Sequence, residues 1–579
     1  MRILLVNPYC LDQRIQDYDI RVPPIGLYYI AACLIEAGHE CSILNLWNKQ
    51  GQQQLVKSEI RRFNPDLVGV SILHATRWGG IDIARITKAV FPEVPVVFGG
   101  PGATFLWHHL LTHFPELDYI VLGEGELTIL RLAELLQHDR KTEIPALPGL
   151  AFRQGGKPEK NDPPDFIKDL DSLPDPSRYF KFQHIISSRG CPWNCAFCGS
   201  PRIWKRKVRF HSPSYFVDQI ENLYRAGTSF FYISDDTFTL KKERVIQICK
   251  LILERKLDIS WAAISRVNNI DEDILYWMRR AGCTQISYGV ESGSPKIRKA
   301  LNKNLKNSQI HQAFEITASH GIMPRAYIIY GSPGETRKTI TETIRLMERI
   351  RPLSAIFYIL DIFPGTALYD IFKKNTGVND DIWLKRIEDI MYFQTDPSLS
   401  QDTVLEFGKR LRKAFYRNLP KFADSIKLVK HQELYPLHAD FLSRLAMTFA
   451  FGDYSRIKDI PASDAVAERL FNRSLQYVPD HRAFLGLGML LQRRGKHRDA
   501  IEILKKGLKH FPESPDLQVC LGVSLMNTGR LEQALELFIK NPSNSQAGKY
   551  AEYCRQLIRN SRTSQNTPGK FPQNILHKR

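Results

Sequence analysis

The chain has 579 residues, 43% of them hydrophobic and 24% charged, a globular composition too long for one core, so two to four domains are expected. Ten cysteines are too dilute for a disulfide scaffold. No apolar run reaches the roughly 18–20 residues that span a bilayer, and the apolar stretch opening at Met1 is too short for a signal peptide, so a cytoplasmic location is expected. The net charge of +19 attracts anions without naming one, and nucleic-acid binding does not follow from it, even with the dense stretch Lys205-Arg-Lys-Val-Arg209.

Residues 1–140 alternate short apolar runs with helical segments. Strands are predicted at Ile3–Asn7, Cys41–Leu44, Leu67–Ser71, Val94–Phe98 and Tyr119–Leu122, with a helix from Ile25 to Ala37 ending at Gly38. Apolar runs that do not alternate, separated by helices, predict a parallel sheet covered on both faces, hence a doubly wound α/β domain. Glycines fall where the strands end: Pro23-Pro24-Ile-Gly26, Gly69-Val-Ser71, Gly99-Gly100-Pro-Gly102 and Gly123-Glu124-Gly-Glu126. Taken one at a time such glycines serve tight turns; taken together at strand ends they also let backbone approach a ligand.

Residues 141–181 are rich in Pro, Asp, Lys and Gly and read as a linker. Over 182–370 a second βα series predicts a parallel partial (β/α)6 barrel. Its strands are expected at His184–Ser187, Ser229–Ser234, Ser260–Ile264, Gln285–Gly289, Arg325–Tyr330 and Ser354–Ile359.

Residues 371–445 read as a helical extension. Within 446–556 a 34-residue period matches Leu487, Gly488, Leu491, Gly495, Ala500 and Leu504 to Leu521, Gly522, Leu525, Gly529, Ala534 and Phe538. Period and residue classes resemble tetratricopeptide repeats, which imply stacked helix pairs and a protein partner, with the helix around Ala465–Tyr477 as a cap. The polar, basic tail 557–579 is expected to be disordered.

Only three cysteines lie close together, in Ser188-Arg-Gly-Cys191-Pro-Trp-Asn-Cys195-Ala-Phe-Cys198, just after the first predicted barrel strand. Three thiolates on one loop can hold three irons of a [4Fe–4S] cube and leave the fourth open to a substrate's amino and carboxylate groups. Structural zinc usually takes four ligands, and no Cys or His but His211 stands near enough in sequence to be the fourth. A two-cluster ferredoxin would show more cysteines.

The spacing C-x-x-x-C-x-x-C after a barrel strand is similar to the radical S-adenosylmethionine superfamily. Loops at later strand ends fit that family in order: Asp235-Asp236, Ser265-Arg266, Glu291-Ser292, and Gly331 with Glu335. The resemblance implies that Cys191, Cys195 and Cys198 ligate the cluster and that these loops contact S-adenosylmethionine. The glycine-ended α/β domain ahead of the barrel resembles the cobalamin-binding domain of the B12-dependent class, which implies cobalamin contacts at Ser71, Gly99, Gly100, Gly123 and Glu124. The D-x-H-x-x-G motif that gives cobalt a histidine in other cobalamin proteins is absent, as in most of this class.

The implied reaction is methyl transfer to an unactivated carbon or to phosphorus of a small-molecule, lipid or peptide substrate, through a 5′-deoxyadenosyl radical and methylcobalamin. An electron donor such as flavodoxin or ferredoxin would feed the cluster. The alternatives are a cyclase, ring-contracting or oxidising enzyme that transfers no methyl group, and a scaffold or sensor built on the repeats. A tRNA methylthiotransferase would carry a second set of three cysteines in its N-terminal domain, and Cys10, Cys33 and Cys41 do not form that pattern.

Overall fold

The computed structural model describes residues 1–11 and 24–563; Pro23 and the tail from 564 onward lie outside it. Two compact units are present, one of Met1–Ala313 with Arg325–Arg349 and Ala355–Leu411, the other of Phe314–Pro324, Ile350–Ser354 and Arg412–Arg579.

The first unit opens with strands β1 (Arg2–Asn7), β2 (Glu40–Asn45), β3 (Leu67–Ser71), β4 (Val96–Gly99) and β5 (Tyr119–Val121). They lie parallel in the order β2-β1-β3-β4-β5. Successive side chains leave opposite faces of a strand, so β1 sends Ile3 and Leu5 to a core with Leu27 and Leu132, and Leu4 and Val6 to one with Ile81 and Leu110. Both faces are covered by helices, as the unbroken apolar runs predict. The chain reverses direction across the sheet between β1 and β3, and a crevice opens at such a switch point beyond the strand ends.

Residues 150–160, read from sequence as linker, belong to this sheet. Strands β6 (Leu150–Gln154) and β7 (Lys157–Lys160) add to β5 as an antiparallel hairpin. Leu150, Ala151 and Phe152 are buried in its cores, whereas β7 is charged and largely exposed; so short and polar a hairpin carries little sequence periodicity.

The barrel strands are β8 (His184–Ile185), β11 (Phe230–Ile233), β12 (Ser260–Ser265), β13 (Cys283–Glu291), β14 (Met323–Tyr330) and β15 (Ser354–Ile359). They form one open sheet in sequence order, β8-β11-β12-β13-β14-β15. A two-stranded ribbon, β9 (Ser188–Arg189) with β10 (Arg209–Phe210), brackets the cysteine loop. A second small ribbon pairs β16 (Asp361–Ile362) with β17 (Ile390–Met391). Residues 377–400, expected to be helical, are mostly an irregular strap. It is held to the N-terminal sheet layer by bonds from Arg77 to Ile387 O (2.8 Å), from Trp78 to Lys385 O (3.0 Å), and by the Arg386–Asp82 pair.

In the second unit the helix pairs His481–Arg493 with His497–His510 and Pro515–Asn527 with Leu531–Ile539 carry the repeat. Gly488 and Gly522 sit at the crossings, where a Cβ would come within 2.6 Å of Leu504 and of Phe538 respectively. Gly495 and Gly529 take positive φ in the turns between paired helices, which is why the repeat needs glycine there. The last helix, Ala547–Thr563, runs seven residues into the segment read as disordered tail. Among the described residues no helix is long and apolar enough to cross a membrane.

Candidate active site

The cysteine loop leaves β9 at Gly190, whose φ is +101° and whose missing side chain lets the backbone pass Lys207 O, 2.1 Å from where a Cβ would stand. The loop is then pinned from both sides. Ala196 N donates to Leu301 O (3.0 Å), Ala196 O accepts from Leu368 N (3.0 Å), and Asn302 Nδ2 donates to Asn194 O (2.5 Å). Cys198 N closes a turn on Cys195 O at 3.2 Å. Cys191, Cys195 and Cys198 are all half-buried. Burial raises the Cys191 thiol, against bonds from Trp193 N and Thr237, and raises Cys198 to about 12. Cys191 feels the charge of Cys195 and Asp236, and Cys198 that of both other thiols and Asp236, so this carboxylate lies near the trio. A coordinating metal deprotonates such thiols, and the loop offers three soft ligands of the kind iron–sulfur clusters take.

The predicted S-adenosylmethionine loops divide by what their side chains do. Asp236 accepts from Ser200 Oγ (2.7 Å); it is solvent-accessible yet crowded enough for desolvation to raise its carboxyl, which places it on the wall of a recess. Arg266 lies 4.0 Å over the Trp193 ring within the cysteine loop, and its Nε has no hydrogen-bond partner among the described residues. Ser265 bonds Thr239. The buried Glu291 has φ +62° and pairs with Lys303 at 2.8 Å. Its neighbour Ser292 meets Thr343 Oγ1 at 3.2 Å. Glu335 Oε2 accepts from Gly331 N and Ser332 N, while Oε1 has no partner among the described residues; burial outweighs these bonds and lifts the carboxyl to about 7.

Asp235 is engaged differently. Its Oδ1 accepts from Ser187 N (2.6 Å) and Ser188 N (3.2 Å), and its Oδ2 from both serine hydroxyls (2.6 Å each). A fully buried carboxylate with four donors is committed to holding the strand that leads into the cysteine loop.

At the switch point of the N-terminal sheet lies an apolar cavity of about 320 Å³. Ser71, Gly99, Gly100, Gly123 and Glu124 all line it, as do Leu5, Val97 and Tyr29. The nearest atoms to a Cβ built on Gly99 or Gly123 are 4.0 Å away, so neither position is sterically crowded, though Gly123, at φ +72°, accepts a side chain only with strain. Gly100, at φ +87°, is needed for a different reason, since a Cβ would press on Ile72 O at 2.8 Å. These residues fit a group that needs backbone at close range, which is the fit cobalamin requires of this domain.

Sequence reasoning missed the residues that close the cavity: Ile186, Arg189, Ile203 and Trp204, all flanking the cysteine loop. Arg189 donates to Glu124 Oε1 (2.9 Å) and pairs with Glu126 (2.7 Å), and Arg209 donates to Glu124 Oε2 (2.8 Å). Burial alone would raise the Glu124 carboxyl, but the Arg209 bond and the Arg189 charge hold it below its usual value. Arg209 belongs to the basic stretch that read as surface charge. A signal was present: two glutamates on the Gly123–Glu126 turn and an arginine two places before Cys191.

Comparison with known proteins agrees with this architecture. Residues 185–347 match the Radical SAM superfamily, 16–133 a B12 binding domain and 491–546 a tetratricopeptide repeat. An uncharacterized methyltransferase of Pyrococcus horikoshii is 32% identical over 429 residues, 72% of this chain and 92% of that protein. The anaerobic magnesium-protoporphyrin IX monomethyl ester cyclase of Cereibacter sphaeroides is 26% identical, over 62% of this chain and 61% of its own length. The fold is also that of the radical S-adenosylmethionine methyltransferase TsrM from Kitasatospora setae, solved with cobalamin and a [4Fe–4S] cluster bound. The TM-score is 0.58 at 16% identity, over 83% of this chain and 99% of that one. The chain therefore belongs to the radical SAM superfamily, in the class that carries a B12 binding domain ahead of the barrel. It is an enzyme.

Proposed function

We propose that this enzyme methylates an unactivated carbon, or phosphorus, of a small-molecule, lipid or peptide substrate. In this reading residues 1–140 hold cobalamin, 182–370 hold the cluster and S-adenosylmethionine, and 446–556 recruit a protein partner. Cys191, Cys195 and Cys198 would bind the cluster. Asp236 and Arg266, which face the cysteine loop, would orient S-adenosylmethionine together with Ser265, Glu291, Ser292, Gly331 and Glu335. Ser71, Gly99, Gly100, Gly123 and Glu124 would line the cobalamin. When bound, these groups supply the electron that cleaves S-adenosylmethionine and the carrier that delivers the methyl group. An electron donor such as flavodoxin or ferredoxin completes the cycle.

One observation carries the reading: residues on both sides of the cysteine loop line the glycine-ended cavity. Ile186 and Arg189 precede the trio, Ile203 and Trp204 follow it, and all four border the cavity. Two cofactors seated in these places would face a common space. The walls there are largely apolar, and the buried Arg189–Glu124–Arg209 network, with Glu126 as its second carboxylate, fixes the boundary with charges that balance. The Pyrococcus relative, matched over nearly its whole length, supports methyl transfer over the ring closure that the cyclase relative suggests.

The test is anaerobic reconstitution with iron, sulfide and cobalamin, then assay of S-adenosylmethionine cleavage and of methyl transfer from the labelled compound. The C191A/C195A/C198A variant should lose cluster absorbance and cleavage together. Cleavage by that variant would refute the cysteine assignment. A product without label would favour the cyclase or oxidation reading.

A further inference from the structure

A second constellation of metal-binding groups lies outside the cysteine loop and the apolar cavity. His109 and His113 stand one helical turn apart on Gly100–His113, and Asp381 reaches them from the strap at Asp380–Leu384. One donor atom from each lies within 4.8 Å of the others. His113 Nε2 is 2.9 Å from Asp381 Oδ1, and His109 Nδ1 is 3.6 Å from the same oxygen.

The first contact alone could be an ordinary hydrogen bond, but the second is too long for one. His109 is only 4% exposed, and neither of its ring nitrogens has a hydrogen-bond partner among the described residues. A buried imidazole left unpartnered is destabilising, and each such group calls for a cause. Two observations converge here: three donors at one point, and a buried donor among them with nothing to bind.

We infer that His109, His113 and Asp381 bind a divalent first-row metal ion, zinc being the one their geometry suits. Ligands placed tetrahedrally at about 2.0–2.1 Å from zinc stand roughly 3.3 Å apart, midway between the two spacings seen. H-x-x-x-H on a helix is a familiar zinc spacing, and a carboxylate supplies the third ligand. The half-exposed Asp381 leaves the fourth position open to water. The surroundings sort the acids. Asp380 already accepts from Tyr369 (2.8 Å) and Lys373 (3.1 Å), whereas Asp381 is steered by Asn379, which donates to Oδ2 (2.9 Å) and leaves Oδ1 to the histidines. Such an outer partner orients a ligand for its metal. Bound there, the ion fastens the strap to the N-terminal sheet layer, adding to the Arg386–Asp82 and Trp78–Lys385 contacts.

The experiment uses the full-length chain as a C191S/C195S/C198S protein, so that the thiol loop cannot take the added metal. Cobalt(II) and zinc(II) are titrated, bound metal is counted after desalting, and the visible spectrum is recorded. Expected are one equivalent per chain, cobalt d–d bands without sulfur charge transfer, and a zinc-dependent rise in the melting temperature. D381N and H113Q, both at exposed or half-exposed positions that should leave the fold intact by circular dichroism, should each weaken binding by more than about tenfold and abolish the rise. Failure of the parent to bind, or equal binding by folded D381N and H113Q, would overturn the site. The outcome is independent of the cysteine assignment.

Discussion

Arg189 Nη1 stands 2.9 Å from Glu124 Oε1, and this bond ties the strand leading into the cysteine loop to the glutamate turn that lines the apolar cavity. Both side chains are almost wholly buried, at 6% and 7% exposure, so the pair cannot be an incidental surface contact. Because Arg189 also serves Glu126 at 2.7 Å, one guanidinium bridges two carboxylates, and Arg209 on Glu124 supplies the second positive charge.

Replacing Arg189 by methionine should therefore be severe. Glu126 would lose the counter-charge it has in a site where it is 4% exposed. Breaking a buried pair by removing one partner costs about 3–5 kcal/mol. Urea unfolding of the apo chain should show a loss of that size for R189M, with cobalamin binding weakened as well. E124Q, which leaves Arg189 bonded to Glu126, should lose less. Equal stability of R189M and the parent would mean the network does not hold the boundary.

Two glycines one residue apart should respond in opposite ways. Gly99 has extended backbone and open space beside it, so G99V should fold normally and fill the cavity. Cobalamin retention after reconstitution should fall sharply while the melting temperature stays near that of the parent. Gly100 at φ +87° would strain under any side chain and press on Ile72 O, so G100A should lower the melting temperature. If G99V still holds cobalamin with unchanged affinity, the cavity is not its seat.

In the helical repeats, Gly488 and Gly522 have the same place in the two copies, each facing the second helix of its pair. A valine at Gly522 must displace Phe538, which is 1% exposed and has no room to yield. Overpacking of this kind costs typically about 1–3 kcal/mol. G522V should lower the unfolding midpoint of the repeats while S-adenosylmethionine cleavage by the reconstituted enzyme persists. A parallel loss of cleavage would show that the repeats matter to the chemistry itself.

The parallel sheet, the barrel strands and the repeat were legible because each rests on local periodicity: unbroken apolar runs, helical spacing, or a 34-residue self-match. The thiol trio was legible because its chemistry depends on spacing within one loop. What escaped depends on distant partners. The glutamate turn and Arg189 are each visible in the chain, but nothing local pairs them across 65 residues, and nothing near His109 announces Asp381. Asp235 shows the converse: an acid at a barrel-strand end reads as a ligand, yet its four serine donors come from β9 and the residue before it, 47 and 48 positions back. The hairpin β6–β7 was missed because its polar outer strand has too few buried residues to pattern.

Acid sensitivity follows from histidines whose pKa desolvation depresses, His184 and His211 as well as His74 and His109. Burial pushes His184 and His211 down to about 4, the latter against a bond to Asp171 at 3.0 Å. In the unfolded chain each titrates near 6.5. Between these values the unfolded state takes up protons that the folded state refuses, so stability must fall as pH drops from about 6.5 toward 4. Asp171 adds to the loss lower down, since the Ser212 and His211 bonds depress its carboxyl below the usual range despite partial burial, and that stabilisation disappears as it protonates. Urea midpoints of the apo chain at pH 7.5, 6.0 and 5.0 should therefore decline in that order. H211Q cannot take up the proton and should flatten the decline between pH 6.0 and 5.0, even where it lowers the midpoint at pH 7.5. A slope unchanged in H211Q would assign the acid sensitivity to other groups.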